Sequence, residues 1–161
     1  MYSLPPHADT SVLHDESLPI LIARARNAVL RMLEAELAAS GVSTVQCMIL
    51  LRLYRGGRNT AGALSRFSGV DSGAMTRLLD RLAAKGLLAR SPDQKDRRSV
   101  RLILTERATA LVPELERCVQ HVHAHLMQGS EGDDAKRFSA YLIDVIRRTV
   151  PAADLAAMTQ D

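Results

Sequence analysis

The chain has 161 residues, 47% of them hydrophobic and 24% charged, a balance that excludes a disordered polymer and suits one compact subunit. Aromatic residues make up only 3% and Trp is absent, so the core must come from Leu, Ile, Val, Ala and Met, which favours helices over an aromatic-rich β-sandwich. The formal net charge of +3 and pI of about 9.2 are mildly basic, and a nucleic-acid partner then depends on where the cations cluster.

No run is long and apolar enough to cross a bilayer, and the start, Met1 to His7, lacks the basic and apolar stretches of a signal peptide. Cys47 and Cys118 are too few and too far apart for a disulfide framework, so a reduced, cytoplasmic setting away from membranes is expected. Residues 1–17 mix Pro, His, Asp and Ser without periodicity and read as an N-terminal arm. A helical pattern follows from about Leu18 to Ala39, with Leu21, Ala25, Ala28, Leu33 and Leu37 along one side, and Ser40-Gly41 ends it. Ser43 and Gln46 form a capping box that opens a helix carrying Ile49, Leu50 and Leu53 and stopping at Gly56-Gly57.

Two short helices come next. Thr60 caps Ala61 to Phe67, Ser68-Gly69 breaks the pattern, and Asp71 caps a helix from Ser72 to Lys85 that ends at Gly86. Leu87 to Ser91 is short and extended, Pro92 to Asp96 is turn-rich, and Val100 to Leu104 reads as a strand, together a β-hairpin with a charged tip. Thr105 caps a long helix to about Gln128 that contains Pro113 as a potential kink. Gly129-Ser130 separates it from a last helix, about Glu131 to Val150, whose apolar side is Phe138, Leu142, Val145 and Ile146; residues 151–161 are an Ala-rich tail. There are no internal repeats.

Helix, tight turn, helix and hairpin in that order are the parts of a winged helix-turn-helix. Its second helix needs an apolar side to hold it on the domain and a small, polar side to fit a major groove. Val70, Ala74, Leu78, Leu79 and Leu82 supply the first; Ser72, Gly73, Thr76 and Arg77 supply the second. Arg77 is able to donate two hydrogen bonds to a guanine edge, and the helix N-terminus is able to meet a phosphate. Lys95, Arg97 and Arg98 cluster at the hairpin tip, with Arg90 and Arg101 on its strands, where a narrow minor groove attracts an inserted Arg. Asp96, an acid facing phosphates, makes sense as an anchor that orients a neighbouring Arg. Each charge alone reads as a solvated side chain; the ordered combination is what points to double-stranded DNA.

The segment from Ser72 to Leu82 followed by Lys85 to Arg90 resembles the recognition helix and first wing strand of MarR-type regulators, and Asp93 to Glu106 is similar to that family's wing signature. The resemblance implies a mainly α fold with a small β-hairpin wing and long dimerisation helices. It assigns 43–105 to the DNA-binding lobe and 18–42 with 106–150 to the dimer, the joining helices being 18–39, 106–128 and 131–150. Asp96 becomes the wing anchor and Arg98 the minor-groove reader. A homodimer on a pseudo-palindromic operator is implied, with recognition helices meeting half-sites one turn, ~34 Å, apart. So is repression released by a phenolic or other anionic effector bound between the dimer helices and the lobe. Arg24, Arg31, Met48 and Tyr54 are candidates to line that site, against their reading as ordinary surface or core residues. The lack of Trp disfavours urate as the effector.

Two other sensors stay open. Cys118, His121 and His125 lie at i, i+3 and i+7 on one helical side, a partial ligand set for zinc or another divalent metal, or simply an exposed or interface cluster. Redox sensing would fall to Cys47 or Cys118, although Cys47 lies in an apolar helix where a buried thiol is inert and the first helix has no Cys. No phosphate loop, nucleophile elbow or metalloprotease signature is present, so no enzyme and no cofactor is expected. A winged-helix module for protein contact is the remaining alternative, and the basic wing argues against it.

Overall fold

The computed structural model describes residues 16–56, 59–92, 100–152 and 154–155. Its elements run α1 (Leu18–Leu37), α2 (Thr44–Tyr54), α3 (Ala61–Ser68), α4 (Ser72–Ala84), β1 (Leu88–Pro92), β2 (Val100–Leu104), α5 (Glu106–Leu126) and α6 (Asp134–Thr149). The architecture is mainly helical with one antiparallel hairpin. A 3₁₀ turn, Ala38–Ser40, separates α1 from α2, so the first helix ends two residues before Ala39, and Gly41 takes the left-handed conformation (φ 69°) that finishes the turn.

Local capping chemistry explains the lobe's helix starts. Ser43 Oγ accepts from Gln46 N at 3.3 Å while Gln46 Oε1 accepts from Ser43 N at 3.1 Å, the reciprocal box that opens α2. Thr60 Oγ1 accepts from Ala63 N, Asp71 Oδ1 from Ala74 N and Thr105 Oγ1 from Ala108 N, each satisfying an amide that the following helix leaves orphaned. α6 starts without such a cap, at Asp134 rather than Glu131. Pro113 lies inside α5 without ending it.

Leu37, Ile49, Leu50, Leu64, Met75, Leu82, Val112 and Leu115 are fully buried and form one continuous core from the end of α1 through α2–α4 to the first half of α5. Leu102 brings the hairpin into that core. In the hairpin Leu88 pairs with Leu104 and Pro92 with Val100, and Leu102 N also donates to Asn59 O at 2.9 Å, which ties β2 to the segment before α3. α1 and α2 both pack on α5. α6 makes at most slight contact with any other element, and Phe138, Tyr141, Leu142, Ile143 and Ile146 are exposed along it. Among the described residues no single helix is long and apolar enough to cross a membrane.

Candidate nucleic-acid interface

α3, a three-residue turn and α4 form the helix-turn-helix. Gly69 sits at φ 70°, a left-handed turn conformation that any side chain would strain, and Ser65 Oγ donates to Val70 O at 2.6 Å to close the turn. Met75, Leu78, Leu79 and Leu82 hold α4 on the domain. The sequence pattern put Ala74 in that set; Ala74 is half-buried, and Met75 takes the inner position because 75, 78, 79 and 82 follow the i, i+3, i+4, i+7 spacing of one helical side.

The opposite side of α4 is exposed at Ser72, Gly73, Thr76 and Arg77. Thr76 Oγ1 donates to Ser72 O at 2.9 Å. Arg77 has no hydrogen bond or ion pair among the described residues. Gly73 lies in the first turn, where a Cβ would meet Asp71 Oδ1 at 3.4 Å and Arg77 at 3.8 Å, ordinary contacts that leave room for a side chain. Glycine costs about 1 kcal/mol against alanine inside a helix, so nothing within the fold accounts for it.

The end of α4 is fastened twice. Gly86 (φ 68°) lets Leu87 N turn back to Leu82 O at 3.0 Å, and Lys85 Nζ donates to Gly41 O at 2.6 Å and to Gln46 Oε1 at 3.2 Å. Arg90 of β1 pairs with Asp80 of α4 at 2.6 Å, linking the wing base to the recognition helix. Neither link has a local sequence signal, since the Lys85–Gln46 contact spans 39 residues. The expected wing residues Lys95, Asp96, Arg97 and Arg98 lie outside the described residues.

Of the effector candidates, Arg24 is exposed and paired with Glu16 at 2.7 Å, and Arg31, Met48 and Tyr54 are exposed. None of the four lines a cavity of about 390 Å³ that lies between the end of α1, the end of α4 and the start of α5, with Lys85 and Arg107 as its cations. Cys118 is buried and donates to Glu36 O at 3.4 Å, His121 is exposed with Nδ1 3.3 Å from Glu36 Oε2, and His125 is half-buried. Among the described residues no three His, Cys, Asp or Glu side chains gather as a metal-binding group. Burial, then the nearby Cys118, pushes the Cys47 thiol up to about 11, and burial also raises Cys118, so both are poor thiolates.

Two helices joined by a tight turn, the second with an open polar side, and a hairpin behind it define a winged helix-turn-helix DNA-binding regulator of transcription. The sequence pattern of the MarR family matches residues 42–100. The chain is 31% identical over 128 residues to the multiple antibiotic resistance protein MarR of Salmonella typhimurium, spanning 78% of this chain and 89% of that protein. To the Escherichia coli protein of the same name it is 29% identical over 140 residues, 85% of this chain and 97% of that one. A mutant of Escherichia coli MarR solved in complex with operator DNA superposes with a TM-score of 0.70 at 28% identity, over 83% of this chain and 94% of that one. A MarR regulator from Methanosarcina mazei shares the fold at a TM-score of 0.71 and 24% identity, over 80% and 95%. The chain belongs to the MarR family, whose members are regulators and not enzymes.

Proposed function

We propose that the protein is a homodimeric repressor that binds a pseudo-palindromic operator and leaves it when a small phenolic or other anionic ligand binds. The observation that carries the DNA contact is the exposed first half of α4. Ser72, Gly73 and Thr76 are small enough for close approach to a groove floor, and Arg77, uncommitted within the described residues, is positioned to reach a guanine edge. Gly73, which the fold does not require, fits a helix that something outside must approach.

The wing tip, Lys95, Asp96, Arg97 and Arg98, follows α4 and supplies the minor-groove contact, with Arg98 as the inserted residue and Asp96 as its anchor. The family likeness and the placement of β1 and β2 at the end of α4 support this reading. The lobe is 43–105. α1, α5 and α6, within 18–42 and 106–150, join the two copies. Support comes from the apolar residues left open on α1 and α6: Leu18, Ile20, Phe138, Tyr141 and Ile143 are each about half exposed, apolar surface that no element among the described residues covers.

Selection of binding sites from random duplexes with the purified protein tests the reading. The expected product is an inverted repeat with half-site centres about one helical turn apart. Retention of no sequence above background at physiological salt would refute it. The wing has its own test in Asp96→Ala. An acid facing phosphates repels them, so simple electrostatics predicts tighter binding on its removal; an anchoring role predicts weaker binding, and Arg98→Lys weakens it too because ammonium lacks the planar fork. Tighter binding of Asp96→Ala at every salt concentration overturns the anchor.

A further inference from the structure

We infer that Lys85 is a positioning residue for operator recognition: its ammonium sets the tilt of α4, and through it the separation of the two recognition helices in the dimer. The role rests on the reading above of two copies on two half-sites, and it involves no ligand.

The apolar side of α4 holds the helix on the lobe without fixing its angle. Met75, Leu78, Leu79 and Leu82 are buried, and apolar contact is non-directional. Hydrogen bonds are directional, and here they act at the helix ends. The N-terminal end follows the turn at Gly69, which Ser65 Oγ closes on Val70 O. Past the C-terminal end, Thr105 Oγ1 donates to Gly86 O at 2.7 Å and Thr105 N to Leu87 O at 3.3 Å, tying the chain after α4 to the start of α5. Lys85, the C-cap of α4, supplies a second tie in another direction. Its Nζ donates to Gly41 O at 2.6 Å and to Gln46 Oε1 at 3.2 Å, in the turn after α1 and the first turn of α2.

The donor type fits a brace on two acceptors. Lys85, Lys95 and Lys136 are the only lysines among the 21 basic residues of the chain. A guanidinium presents a flat fork, whereas an ammonium is a compact point with three donors that turn to converging oxygens. The acceptors are firmly placed. Gly41 lies in a left-handed turn (φ 69°), and Gln46 is buried, with Oε1 also accepting from Ser43 N in the capping box. The brace adds little to folding, because Lys85 is exposed and both acceptors are neutral. Its leverage on α4 is large. The helix has 13 residues and is therefore ~20 Å long. A tilt of ~10° about the braced end carries Ser72 through ~3 Å, close to the ~3.4 Å step between stacked bases. Both ties run to elements proposed to join the copies, so a tilt in each copy changes the separation of the two helices and their match to two half-sites.

Lys85→Met keeps the apolar stem and removes the donors. Its affinity is measured on three duplexes: the selected inverted repeat, one half-site alone and a random sequence. The unaltered protein is expected to prefer the full site. Lys85→Met is expected to lose roughly tenfold or more on the full site and less than about twofold on the half-site, because each lobe still reads its own groove while simultaneous engagement is lost. Gln46→Glu keeps the capping box and makes the brace charge-assisted, so the full-site preference is retained. Spin labels on Ser72→Cys in the two copies, Cys47 and Cys118 being buried, give a readout that a purely structural role leaves unmoved. One narrow distance distribution is expected, broadened by Lys85→Met. Far-ultraviolet dichroism and thermal melts confirm that both variants fold. Undiminished full-site binding by Lys85→Met, equal loss on full site and half-site, an unchanged distance distribution, or a full-site preference lost in folded Gln46→Glu each overturns the positioning role alone. An unaltered protein that gives no label-to-label distance, or binds the full site no better than the half-site, overturns the reading of two copies on two half-sites, and the positioning role with it.

Discussion

Leu82 of α4 and Ile146 of α6 are both aliphatic residues in amphipathic helices, yet the first is fully buried and the second is 42% exposed. The lobe closes its own core: α2, α3, α4 and the hairpin share Ile49, Leu50, Leu64, Met75 and Leu102 with the first half of α5. The outer helices do not. α6 presents Phe138, Tyr141, Leu142, Ile143 and Ile146 and buries no residue fully. The same helical spacing thus has two meanings in one chain. In the lobe it reports a core that one chain completes; in α6 it reports an apolar side that the described residues leave open, the side proposed above to join two copies.

The largest effect expected from that difference is on assembly. Ending the chain after Gly129 removes α6, and light scattering at micromolar concentration should then give the mass of one chain where the full protein gives two. A monomeric mass for the full chain, or an unchanged dimer after truncation, would break the comparison at its root. Single substitutions sharpen it. Leu82→Ala should lower folding stability by about 2–5 kcal/mol, because a fully buried leucine leaves a cavity, with little change in the dimer dissociation constant. Ile146→Ala should do the reverse, moving the monomer–dimer midpoint while a lobe reporter such as near-ultraviolet dichroism stays native. Chemical denaturation and dilution experiments on both variants distinguish these outcomes.

On the DNA side, Arg77→Ala should weaken binding to selected sites by about 1–3 kcal/mol and leave affinity for random duplexes nearly unchanged. Electrophoretic mobility shifts on both DNAs measure this. Equal loss on the two would make Arg77 a phosphate contact.

How much of this was legible in the sequence follows from the range of the interactions. The caps at Ser43, Thr60, Asp71 and Thr105 depend on atoms within three residues, and each expected cap is present. The alternation of Val100, Leu102 and Leu104 holds at Leu102, which is buried, and at Leu104, which is half-buried, while Val100 at the outer end of the hairpin is exposed. α6 starts three residues later than its pattern suggests because Gly132 takes a left-handed conformation (φ 55°) that a helix cannot contain. On α1 the expected apolar side was Leu21, Ala25, Ala28, Leu33 and Leu37. Only Leu37 is fully buried; Leu33 packs half-buried against the core, Leu21 is half-buried, and Ala25 and Ala28 are exposed, although α1 packs on α5. The Lys85 brace and the Lys85–Arg107 cavity escaped the sequence altogether. They join helix ends far apart in the chain, and a Lys at the end of a helix looks the same whether it faces water or Gln46.

The smallest expected effect concerns the Asp80–Arg90 pair that links α4 to β1. Both side chains are about half exposed, so solvent screens the pair and its loss should change stability by less than about 1 kcal/mol. Its influence on DNA is separable from stability. While Asp80 holds Arg90 at 2.6 Å, that guanidinium is neutralised by a protein carboxylate. In Asp80→Asn it is free to find a phosphate, and each added phosphate contact steepens the plot of log affinity against log salt by about 0.9. Removing an acid near DNA also reduces repulsion, which alone would tighten binding. The double variant Asp80→Asn with Arg90→Gln decides between the two causes. If freed Arg90 makes the new contact, the steeper slope of Asp80→Asn disappears in the double variant. If the gain comes only from lost repulsion, it persists without Arg90, and the pair is then a brace between helix and wing with no cation held in reserve.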